Sequence, residues 1–141
     1  MNNKLIQSIF WATVAVFIII ICAIFARIPL ADSLPLGLIF LPGIAVFFLL
    51  SVALIVLTIK IKIGGKLKKF LLLTGASAAG LPVFTVLHNL ISGLFDIEEP
   101  VFFILATLVC PLGFLVGAVG TIVLTVKSKE FREDVSKGVN Q

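Results

Sequence analysis

Few side chains in this chain could do chemistry, and most of them fall in one region. His88 is its one imidazole. Asn89 follows it, Glu98 and Glu99 lie about ten residues on, and Thr74, Ser77, Thr85, His88 and Ser92 recur at helical spacing as one weakly polar stripe. Polar side chains within a membrane span face a bundle interior or a wet cavity. Thr85, His88, Asn89, Glu98 and Glu99 could therefore form a small polar pocket suited to a cation. The blander arrangement, which the pattern favours, has His88 hydrogen-bonding the following connection and fixing a helical hairpin. One histidine beside two adjacent carboxylates lacks the spacing of a dedicated metal site, so no metal is expected. No cofactor motif is present either.

General acid–base catalysis needs a titratable group within hydrogen-bond reach of substrate, and His88 is the lone candidate within an apolar stretch. A non-enzymatic protein is expected. Cys22 and Cys110 each sit in an apolar run and read as small buried hydrophobes. They are placed at different depths, which argues against a disulfide, and no CxxC pair exists for thiol exchange.

The elements that must position these residues are membrane spans. Of 141 residues, 60% are apolar and 13% charged, and the charges are segregated. After Lys4 the next charge is Arg27, and after Asp32 the next is Lys60. A chain this short could not bury so much apolar surface in water. Four apolar runs follow: Leu5 to Ala26, Leu34 to Ile59, Phe70 to Ser92 and Val101 to Val126. At about 1.5 Å per residue each covers a hydrocarbon core of roughly 30 Å. Their continuity excludes a barrel, whose strands alternate and are short. The expected fold is an all-α integral membrane four-helix bundle, one domain over residues 1–141, with a polar tail at 127–141. The first run is too long for a signal-peptide core and no A-x-A site follows it, so it is expected to be retained.

Orientation follows from lysine placement. With the N-terminus inside, Lys4, the lysines of 60–69, and Lys127, Lys129, Arg132 and Lys137 are cytoplasmic; among the 11 basic residues only Arg27 lies outside. Both termini are then cytoplasmic in a multi-pass protein of the cell membrane. The Lys60–Lys69 hinge, with Gly64-Gly65 as its turn, would attract anionic lipid. The net charge of +4 comes from these membrane-flanking residues, so nucleic acid is not an expected partner.

Small residues mark packing faces. Gly75 and Ala79 lie four apart, as do Ala76 and Gly80; Gly113, Gly117 and Gly120 continue one stripe in span four. Lipid is as apolar as leucine, so membrane helices associate through close backbone approach, which small residues permit. The stripes suit packing of spans three and four within one chain, or a self-association face. Pro42, Pro82 and Pro111 are expected to interrupt their spans. Ile55-Val-Leu-Thr-Ile-Lys-Ile-Lys62 also resembles Ile122-Val-Leu-Thr-Val-Lys-Ser-Lys129, an offset that pairs Phe47 with Phe114. Two parallel helical-hairpin repeats would explain that match.

A four-span count is shared with the small multidrug-resistance transporters, but that family depends on a carboxylate in its first span and Leu5–Ala26 has none. The leading expectation is a small membrane subunit or accessory protein acting through helix–helix association, as a homo-oligomer or with a larger membrane-protein partner. The alternative is a small oligomeric transporter or channel for an ion or small solute.

Overall fold

The computed structural model describes residues 3–25, 36–61, 63 and 65–138, with side chains described over 4–22, 42–61, 63 and 65–128. The Arg27–Ser33 connection, Lys62 and Gly64 lie outside the described residues. The described chain is all-helical: α1 (Asn3–Phe25), α2 (Leu36–Lys60), α3 (Gly65–Phe95), α4 (Pro100–Ile104), a π-helical turn (Leu105–Val109) and α5 (Cys110–Gly138). Four stretches are long and apolar enough to cross a membrane: Lys4–Cys22, Pro42–Lys60, Gly65–Phe95 and Pro100–Ser128.

The boundaries differ from expectation where charge was taken as a helix stop. Lys66, Lys68 and Lys69 belong to the first turns of α3. Lysine is a good helix former, and the turn is made by Gly65, whose φ of 50° lies in the left-handed region that glycine adopts freely. Span four was expected over Val101 to Val126 and the apolar stretch runs Pro100–Ser128; the helix itself, α5, continues beyond it to Gly138.

The prolines also behave unequally. α2 and α3 run through Pro42 and Pro82 without a break, whereas the turn before Pro111 widens. There the Cys110 N–H reaches back to the Leu105 carbonyl. Pro111 has no N–H to give and its ring crowds the preceding turn. A wider i→i+5 turn relieves that crowding.

Each long helix turns one narrow seam inward. The fully buried residues are Ile6, Phe10, Thr13 and Phe17 in α1, and Phe47, Ser51, Leu54 and Thr58 in α2. In α3 they include Leu71, Thr74 and Ala78, and from the π turn into α5 they are Ala106, Cys110, Phe114, Ala118 and Thr121. Steps of three and four residues keep these positions on one side of a helix. Most other faces carry exposed Leu, Ile and Val, as lipid-facing helices do.

The buried hydroxyls are largely self-sufficient. Thr13, Ser51, Thr58 and Thr74 each donate to the carbonyl four residues back in their own helix, at 2.6–2.9 Å. Such bonds hide a hydroxyl in an apolar interior without a partner on another helix. Thr121 and Ser92 are the exceptions: the Oγ1 of the first and the Oγ of the second are buried and have no hydrogen-bond partner in the described structure.

Candidate functional site

The polar end of the bundle is organised by the α3–α4 connection. α3 stops at Phe95 because Asp96 takes a left-handed conformation, φ 50°, which Asp tolerates better than most side chains. Glu99 then caps α4, its carboxylate accepting from the Val101 N–H at 3.2 Å and the Phe102 N–H at 2.9 Å. Pro100 fills the first helical position, where its missing N–H costs nothing.

His88 reaches across from α3 to this cap. Its Nδ1 lies 2.8 Å from the Glu99 backbone carbonyl, and since a carbonyl only accepts, Nδ1 is the donor. The imidazole also leans on Phe103, ring centroids 5.4 Å apart. A second aromatic contact, Phe84 with Phe102 at 6.1 Å, ties the same two segments one turn deeper.

The five polar residues named from sequence are thus only partly brought together. His88 and Glu99 meet, but through the Glu99 backbone, while its carboxylate serves α4. Thr85 donates to the Leu81 carbonyl and the Asn89 amide to the Thr85 carbonyl, each at 2.8 Å, so both serve α3 from exposed positions. Glu98 is exposed. Among the described residues no group of three His, Cys, Asp or Glu side chains is placed to hold a metal.

The packing residues divide between two neighbours. A Cβ on Gly75 would stand 2.7 Å from Ile55 Cγ1 and 3.4 Å from the Ser51 carbonyl oxygen, so Gly75 lets α2 approach α3. Gly80 instead lies against Cys110 Sγ, which would be 3.0 Å from such a Cβ. Ala79, between them, is half-buried. Gly113, Gly117 and Gly120 all face α3, meeting Ser77, Thr74 and Phe70 in turn. α3 therefore packs most extensively on α5 and next on α2, with α1–α2 looser.

α1 and α5 make few close backbone approaches. They meet through Phe17 and Phe114, whose rings stack with centroids 4.1 Å apart. Phe47 of α2 completes the cluster at 6.1 Å from Phe17 and 6.4 Å from Phe114.

Sequence reasoning did not anticipate a cavity of about 390 Å³ between α2 and α3, lined by Ile44, Ala45, Phe48, Pro82, Val83, Val86 and Leu87. The one available signal was the pair of proline sites, Pro42-Gly43 and Pro82, one on each wall or beside it. Compared with known protein families, curated proteins and solved structures, the chain matches none.

Proposed function

We propose that this chain is a small multi-pass membrane protein that acts without catalysis, as a subunit or accessory protein associating with other helices inside the bilayer through its α1–α5 side. The observation that carries this reading is the unequal use of small residues. Gly75, Gly80, Gly113, Gly117 and Gly120 are occupied by contacts within the chain, so they are spent on the bundle itself. The α1–α5 side has no such close approach and is bridged by the Phe17–Phe114 stack. A partner helix, from a second copy or a larger membrane protein, would add contact along the side that the bundle's own helices pack least tightly.

The same reading places both termini on the cytoplasmic side of the cell membrane. Exposed Lys4, Lys60, Lys66, Lys69 and Lys127 stand at or near the ends of the apolar stretches that an N-terminus-inside threading puts in the cytoplasm, in keeping with the bias of basic residues to that side. Anionic lipid at Lys60–Lys69 belongs to this arrangement.

A repeat of two parallel hairpins also finds support in burial. The α2 seam Phe47, Ser51, Leu54, Thr58 corresponds to Phe114, Ala118, Thr121, Thr125 at the offset seen in sequence. The α1 seam Ile6, Phe10, Thr13, Phe17 aligns with Leu67, Leu71, Thr74, Ala78 of α3 only at a shorter offset, 61 residues instead of 67, so the first helices of the two halves match after a six-residue shift. The halves then differ where glycine is missing: Val14 stands where α3 has Gly75, and Val46, Leu50 and Ala53 stand where α5 has its three glycines. That difference accounts for the looser α1.

Cross-linking in membranes tests the association. With Cys22 and Cys110 changed to alanine, Leu115→Cys should cross-link to a second copy or a partner protein. Val56→Cys, also exposed but on α2, should not. A chain that stays monomeric and uncross-linked at Leu115 in its native membrane overturns the reading. The transport alternative draws on the π turn before Pro111, where the regular helix hydrogen bonds are broken. Flux of ions or small solutes in liposomes containing the purified protein would favour it.

A further inference from the structure

The cavity between α2 and α3 has a cause in the packing. The two helices touch where Gly75 meets the Ser51 carbonyl and Ile55. Beyond that contact, away from the lysine-bearing ends, α2 offers Ala45 and the bare Gly43, whose missing Cβ would meet nothing within 4 Å. α3 answers with the buried ring of Pro82. Among the described residues little side-chain volume remains to close the gap, and the helices leave a groove open to the side.

Its surroundings determine what can occupy it. Phe48 and Ile44 lie twelve and sixteen residues from Lys60, about 18–24 Å along the helix. Pro82 and Leu87 lie thirteen and eighteen residues from Lys69, about 20–27 Å. Both distances fall within a hydrocarbon core of roughly 30 Å that begins near the lysines. The lining side chains offer no hydrogen-bond donor or acceptor, so a headgroup, a peptide segment or bound water would go unsatisfied there. The volume of about 390 Å³ suits a flexible chain: taking roughly 30 Å³ per methylene, about what water occupies in the liquid, it holds about a dozen. Exposed Leu90 and Leu94, with bare Gly93 between them, extend the apolar track toward the end of α3.

We infer that this groove holds one acyl chain of a phospholipid, seated as a structural lipid between α2 and α3. The site lies on different helix faces from the α1–α5 association surface and stands or falls separately from it.

The test is native mass spectrometry of the protein purified in mild detergent from phosphatidylcholine vesicles. Wild-type protein should retain one phospholipid per chain. Ala45→Phe and Val83→Trp each fill the groove from a wall position already exposed, so neither forces the core apart, and each should reduce retention at least tenfold. Val123→Phe, exposed on α5, should leave it unchanged. Circular dichroism checks that the variants stay helical. Absence of retained lipid in wild type, or wild-type retention in both filled variants, overturns the inference. So does loss of a co-purifying protein in place of lipid.

Discussion

Gly117 of α5 lies so close to α3 that a Cβ there would stand 2.7 Å from the Thr74 amide nitrogen and 3.0 Å from the Phe70 carbonyl oxygen. Both atoms are helix backbone, which cannot swing aside as a side-chain tip can. The close approach of α3 and α5 therefore depends on the absence of a methyl group at Gly117, as it does at Gly113 and Gly120.

Gly117→Ala should lower stability by about 1–3 kcal/mol, the usual cost of overpacking. Gly43→Ala, where a methyl meets open space, should be neutral or slightly stabilising because alanine favours the helix. Thermal melting followed by size-exclusion chromatography in detergent separates the two. Equal melting temperatures would contradict the packing described for α3 and α5.

Phe17 and Phe114 should be energetically coupled. Beyond the cost of each single truncation to alanine, the double-mutant cycle should return about 0.5–1.5 kcal/mol for the stacked pair. Additive losses would mean that the ring contact does not join α1 to α5.

The histidine and the cap should act on the same short segment. Replacing His88 with alanine removes the donor to the Glu99 carbonyl and should cost about 0.5–1.5 kcal/mol. Glu99→Ala removes the α4 cap and should cost about 0.5–2 kcal/mol. In both variants the expected signature is faster hydrogen exchange at Val101 and Phe102, with exchange in α2 unchanged. Exchange that is unaltered in α4 would rule out this role.

Buried Thr121, lacking a hydrogen-bond partner, should respond differently from Thr74. Thr121→Val leaves no unmet polar group and should be neutral or stabilising by up to about 1 kcal/mol. Thr74→Val gives up a bond to the Phe70 carbonyl at a position packed against Gly117, and should be the more destabilising. Melting temperatures of the two variants in one detergent give the comparison.

Orientation is checked with an impermeant maleimide on intact cells, in a background with Cys22 and Cys110 replaced by alanine. Glu98→Cys should be labelled and Lys69→Cys should not. The reverse pattern would invert the proposed topology.

Composition alone made the four apolar helices legible. Backbone groups in hydrocarbon must be paired within a segment, so a continuous uncharged run of this length has one workable conformation. The glycine stripes were legible as packing faces for a similar local reason. Their partners were not: Gly75 and Gly80 differ in which helix they admit, and that depends on the arrangement of α2 and α5 around α3. Lysine charge misplaced the start of α3, since ammonium groups on long stems are compatible with a helix once they reach the membrane surface. What Pro111 does and Pro42 does not, where Glu99 spends its carboxylate, and the groove beside Pro82 were decided by tertiary structure. Each depends on how closely two helices approach, a distance governed by side chains far apart in sequence.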